Sequence, residues 1–245
     1  MEEELDRLKT LRILGQHIGM RIVKTRHDVV AAFIVGSVAR GNIHSESDID
    51  LCILIEHGDR PKREIIEESG YKVDITYIPL HLWEENLYHG IGSEWEIEAS
   101  NIVDSIIIYD PKKLIKKVKE YLKTYPEERR RMNILFTYHR MGWFREAVKY
   151  HYIRRNYDFE SIFSKIYAIT ALKILFPLNR VYLKGDKYIF DQVKELQKIP
   201  PSFLEKCLNL LYFKSKNVKY EEAKWIFRTV SDIQKTIENI VIKFL

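Results

Sequence analysis

Apolar residues recur along the chain with two different periods, and the change from one to the other divides it. Leu5, Leu8, Leu11, Ile18 and Ile22 repeat at helical spacing across residues 3–27, and Gly15 and Gly19 weaken the middle of that helix. Ala31 to Val35 is a continuous apolar run and reads as a buried strand. Gly36 and Ser37 turn the chain, and Val38 to Gly41 open a short helix. Ile49 to Ile55 is a second strand, and Arg60 to Ser69 is predicted as a helix that starts at Pro61 and stops at Gly70. Tyr71 to Ile78 alternates apolar and polar, as a third strand would. A helix over His81 to Tyr88, a strand over Ile102 to Tyr109 and a basic helix over 112–124 complete this part.

Beyond Tyr125-Pro126 the spacing is helical only. Helices are predicted over 127–155, 159–176, 187–198, 201–213 and 219–244, punctuated by Pro177, Gly185 and Pro200-Pro201. The expected fold class is α+β. A domain over 1–125 has a mixed sheet flanked by helices, and an all-α bundle over 126–245 follows.

Composition narrows the class. An apolar share of 46% suits a packed globular chain. No run of apolar residues approaches the roughly 20 that a membrane span needs. The opening MEEELDRLKT is acidic and amphipathic, unlike a secretory signal. Cys52 and Cys207 form no ligand cluster. The expectation is a cytoplasmic chain with no membrane partner. Abundant Ile, Lys, Glu and Tyr point to a heat-loving source. The net charge of +5 conceals an acidic half: residues 1–125 hold 17 Lys and Arg against 22 Asp and Glu. Residues 126–245 hold 23 against 13. The two halves either face each other across a cleft with opposed walls or are two solvated surfaces.

The chemistry concentrates in GSVARGNIHSESDIDL, residues 36–51. On a strand, Asp48 and Asp50 project from one face while Ile49 and Leu51 enter the core. Neighbouring carboxylates repel unless a cation lies between them. Mg²⁺ accepts one or two carboxylates together with substrate phosphates, and two-metal sites hold ions about 3.5–4 Å apart. Asp74 in YKVDITYI is a third carboxylate that joins the pair if the second and third strands are neighbours. Gly36 lets a backbone approach a phosphate closely, and the helix start after it offers N–H groups to an anion. No G-K-[ST] follows, so this is not a Walker loop.

The run G-S-V-A-R-G, N-I-H-S-E, S-D-I-D-L resembles the pattern of the DNA polymerase β nucleotidyltransferase superfamily. In its minimal nucleotidyltransferases G-S-x-A-R-G is followed by five variable residues and S-D-I-D-L. The resemblance is specific over residues 33–55 and extends across 28–110. It implies Asp48, Asp50 and Asp74 as the catalytic, metal-binding carboxylates, with two Mg²⁺ ions or Mn²⁺ in their place. It implies Gly36, Ser37 and Ser47 as nucleotide contacts. Arg40 matches the motif arginine and either touches phosphate or braces the turn. The helical half is similar to the domain fused to this one in kanamycin-type nucleotidyltransferases, FPLNRVYLKGDKYIF being the most alike.

The reading that follows is transfer of a nucleoside monophosphate from a triphosphate, ATP favoured, to an acceptor hydroxyl with release of pyrophosphate. A small-molecule acceptor is expected, with a protein partner or RNA as alternatives, and a dimer is left open. Arg180 and Lys187 flank a glycine loop and are candidates for the outer phosphates, against the plainer reading of solvated bundle charges. The proton acceptor is either Asp74 or Glu146, against the plainer reading of Glu146 as an ordinary surface glutamate. His139 and His151, twelve residues apart, read as ordinary helix residues. Tyr138, Trp143, Phe144, Tyr150 and Tyr152 are expected mostly in the bundle core.

Overall fold

The computed structural model describes residues 2–244. Its first layer is helix α1 (Glu2–Thr25), which packs against β1 (Val29–Val35) and β2 (Ile49–Ile55). The short helix α2 (Gly36–Arg40) follows β1 directly. Leu11, Ile18 and Ile22 of α1 share one core with Ile34, Ile49, Leu51 and Ile53. The two helix glycines explain the closeness of this contact. A Cβ on Gly15 would stand 2.9 Å from Ile34 Cδ1, and one on Gly19 would stand 2.6 Å from Ile108 Cδ1. They admit the sheet rather than merely weakening the helix.

The sheet continues with β3 (Lys62–Glu68), β4 (Tyr71–Pro79) and β5 (Ile106–Tyr109), in the order β3-β4-β2-β1-β5. β2 and β4 run parallel and the remaining neighbours antiparallel, so the sheet is mixed, as expected. The predicted helix over Arg60 to Ser69 is instead the edge strand β3. Its side chains are mostly solvent-facing charges, so the alternation that marks a half-buried strand is muted, and the charges guard the edge. Ser69 and Gly70 join it to β4 with φ of 54° and 76°, the two positive angles that a two-residue hairpin turn needs.

Helices α3 (Leu80–His89), α4 (Gly92–Asp104) and α5 (Leu114–Leu122) complete this part. The predicted strand over Ile102 to Tyr109 is corrected at its start: α4 runs to Asp104 and only Ile106–Tyr109 is strand. Trp95, Ala99 and Ile102, all buried, mark α4 at helical spacing. Ser105 ends it by donating its hydroxyl to the Ile102 carbonyl at 2.7 Å.

The chain forms two compact units, Met1–Gly90 with Ile97–Thr124, and Ile91–Glu96 with Tyr125–Leu245. The second is helical: α6 (Glu127–Ile153), α7 (Tyr157–Lys173), α8 (Leu175–Asn179), α9 (Ile189–Glu195), α10 (Phe203–Tyr212) and α11 (Tyr220–Val241). Helices α6, α7, α10 and α11 pack on one another around Ile134, Met141, Tyr167, Leu172, Phe203, Ile233 and Ile237. The stretch Tyr157–Asn179 is long and apolar enough to span a bilayer, contrary to expectation. It is 67% buried inside the protein, as the core helix of a bundle would be.

The first turn of α4 belongs to the helical unit because polar groups fix it there. The Gly92 N–H donates to Asn133 Oδ1 at 2.8 Å, Asn133 Nδ2 donates to the Tyr125 hydroxyl at 2.7 Å, and that hydroxyl donates to Glu96 at 2.7 Å. Tyr125 stacks on Tyr182 at 4.5 Å. Burial pushes the Glu96 carboxyl up to about 8. A carboxyl raised in the folded state contributes stability that is complete below its unfolded value and lost as pH climbs through its folded one. Glu96→Gln removes this dependence. The melting temperature of the variant minus that of the native chain is therefore expected to grow from pH 5 to pH 8 and to level off above. A scanning-calorimetry series across that range checks it, and a constant difference would show Glu96 to be ionised throughout.

Candidate active site

Alternation along β2 creates the site. Ile49, Leu51 and Ile53 enter the core, so Asp50 and the residue just before the strand, Asp48, share the opposite face. Parallel pairing of β2 with β4 sets Asp50 beside Asp74 in register. One carboxylate oxygen from each of Asp48, Asp50 and Asp74 lies within 4.8 Å of the others. Asp48 and Asp50 are half-buried and Asp74 is buried.

Antiparallel pairing of β1 with β2 places Val35 opposite Asp50, and so brings Gly36 to the carboxylate. Gly36 has φ of 72°, and a Cβ there would lie 2.0 Å from Asp50 Oδ2. The glycine is therefore fixed twice, by its backbone angle and by the carboxylate against it. The phosphate-approach argument gives only part of the reason for its presence. Ser37 is buried in the first turn of α2, and among the described residues no side chain caps that helix start. Its far end is held by Arg12, whose Nε and Nη2 donate to the carbonyls of Val38 and Ala39 at 3.1 and 3.0 Å.

Arg40 donates to Asn101 Oδ1 at 3.1 Å, a bracing contact between α2 and α4. The Ser47 hydroxyl accepts the His44 N–H at 2.8 Å and closes the turn that delivers Asp48. Three further candidates lie in the helical unit, as expected from their place in the sequence. Arg180 has φ of 58° and donates to Glu127 at 2.6 Å. The Lys187 ammonium stands 5.1 Å from the Tyr188 ring centre. Glu146 pairs with Arg145 at 3.0 Å and Lys149 at 3.7 Å. His139 lies edge-on to Trp143, and His151 stacks on Phe159 and Phe163. None of the expected core aromatics is fully buried: Trp143 and Tyr150 are 64% and 52% exposed on the outer face of α6, and Tyr138, Phe144 and Tyr152 are half-buried.

The sequence reading missed two cations. Lys72 Nζ lies 3.2 Å from Asp48 Oδ2. Arg63 Nε donates to both oxygens of Asp74 at 2.8 and 2.9 Å, and Nη2 donates to Oδ2 as well. The guanidinium beside it holds the Asp74 carboxyl below the usual carboxylate range. Lys72 lay in plain view two residues before Asp74, on the alternate positions of one strand. Arg63 was hidden by the helix assigned to its segment.

Residues 20–122 match the model of the nucleotidyltransferase domain family. The chain carries a nucleotidyltransferase domain. The match over those residues supports the polymerase β-type superfamily and an enzyme of the nucleotidyltransferase class. A solved structure, a nucleotidyltransferase-like protein from Exiguobacterium sibiricum 255-15, superposes with a TM-score of 0.64 at 9% identity. The alignment covers 91% of this chain and 74% of that one, and the likeness is one of fold. No curated protein sequence matches.

The nucleotidyltransferase domain holds a built-in comparison between two glycines of similar φ. Nothing lies within 4 Å of a Cβ on Gly70. Gly70→Ala is therefore expected to cost only the left-handed backbone strain, about 1–2 kcal/mol. Gly36→Ala adds the clash with Asp50 and should cost more. Urea denaturation of both variants measures the difference, and equal losses would show that the Asp50 carboxylate moves aside freely.

Proposed function

We propose that the protein is a Mg²⁺-dependent nucleotidyltransferase that moves the nucleoside monophosphate of ATP to a hydroxyl of a small molecule and releases pyrophosphate. The observation that carries this reading is the convergence of Asp48, Asp50 and Asp74 within 4.8 Å beside the Gly36 turn. Three carboxylates so close need positive charge, and oxygen ligands of this type suit a hard divalent cation. Two cationic side chains already lie against them, which fits a site built for cations.

In this reading Asp48 and Asp50 are the principal ligands and Asp74 the third. A bound divalent ion would supply charge against the triphosphate and the leaving pyrophosphate. The backbone at Gly36 and Ser37 would receive phosphate oxygens at an uncapped helix start, and Ser47 would keep Asp48 in place. The acceptor oxygen forms a bond to the α-phosphorus as the bond to the bridging oxygen breaks. The acceptor proton passes to Asp74 or Glu146. Arg180 and Lys187 are proposed for the outer phosphates on their charge alone.

Incubation of the protein with each nucleoside triphosphate labelled at the α-phosphate, Mg²⁺ and a cell extract tests the reading. Label is expected in the small-molecule fraction, with ATP the best donor. Label in protein or RNA would replace the acceptor class. Asp48→Asn and Asp50→Asn are each expected to abolish transfer while leaving the metal-free melting temperature level or higher, since each relieves carboxylate repulsion. A clear fall in that temperature would make these aspartates structural.

A further inference from the structure

Arg63 approaches the triad from outside the motif. It lies on the edge strand, opposite Thr76 in register, while Ile65 is opposite Asp74. Its side chain shares the face of Asp74 and leans along the strand to reach it. The guanidinium engages Asp74 through both carboxylate oxygens, yet the Arg63 side chain is 65% exposed against 7% for Asp74. The exposed residue covers the buried one. Asp48 differs, since Lys72 reaches it with a single ammonium at 3.2 Å.

We propose that Arg63 is the resident cation of Asp74 and ranks the metal positions of the site. A first divalent ion takes Asp48 and Asp50, and Asp74 is released to a second only when Arg63 is displaced. This rests on the metal-dependent reading above. Arginine cannot lose its proton to yield the position, so it must move. A two-oxygen fork is harder to displace than one ammonium contact. A hollow of about 350 Å³ beside Arg63 is lined also by Arg60 and Lys62. Their like charge disfavours withdrawal of the guanidinium into the hollow. Arg63 is thus a positioning residue that acts through Asp74 on the order in which the carboxylates take up cations.

Mn²⁺ titration of the nucleotide-free protein, with free ion read by electron paramagnetic resonance, tests this without any turnover. The native chain is expected to bind one ion and to bind a second at least about ten-fold more weakly, a gap of about 1.4 kcal/mol. Arg63→Gln is expected to tighten the second ion about ten-fold and to leave the first within about two-fold. Arg63→Lys keeps charge without the fork and should fall between. Adding Asp74→Asn to Arg63→Gln should remove the second ion. Arg63 is largely exposed on an edge strand, so these variants should fold, and the melting temperature of each confirms it. A second ion unchanged by Arg63→Gln, or two equal ions in the native chain, overturns the role of Arg63 alone. A native chain that binds no ion at all overturns the metal-dependent reading with it.

Discussion

Mutual repulsion among Asp48, Asp50 and Asp74 is the constraint around which this domain is organised. Three carboxylates within 4.8 Å of one another do not stay together by themselves. Two features hold them. The sheet fixes their backbones, because Ile49, Leu51, Ile53, Val73 and Ile75 anchor the other faces of β2 and β4 in the core. Positive charge from the β3–β4 hairpin then offsets their field, Arg63 on Asp74 and Lys72 on Asp48. The glycine at the head of α2 follows from the same crowding, since only a residue without Cβ fits beside Asp50.

The triad was legible in the sequence because strand alternation is a local rule. S-D-I-D-L and YKVDITYI each show, without any tertiary knowledge, which residues share a face, and the family resemblance pointed to Asp74 as the third carboxylate. Arg63 was not legible for the converse reason. An edge strand exposed on both faces carries charges where a buried strand carries alternation, and Pro61 with Gly70 then imitates the ends of a helix. The Ser69-Gly70 pair held the contrary signal, as a two-residue turn between segments of similar length. Helix α4 was lost by assigning its last residues to a strand, although Trp95, Ala99 and Ile102 carry its period.

The helical unit was read well as a class and poorly in detail. Its helices form where spacing places them, but which aromatic residues enter the core depends on how neighbouring helices cover each face. Trp143 and Tyr150 on α6 face solvent for that reason. The buried polar network of Glu96, Tyr125 and Asn133 joins residues far apart in sequence, and no local pattern announces it. Such networks are costly unless every member finds a partner, which makes this one a specific determinant of where the first turn of α4 lies.

Nucleotidyl transfer differs from other uses of a triphosphate in which phosphorus the acceptor oxygen meets. Parallel reactions with ATP labelled at the α-phosphate and at the γ-phosphate, each with and without Mg²⁺, test the account most directly. It predicts that the α-label stays with the acceptor, that the γ-label leaves as pyrophosphate, and that neither moves without the metal. Appearance of the γ-label on the acceptor, or equal transfer in the absence of divalent ions, would contradict it.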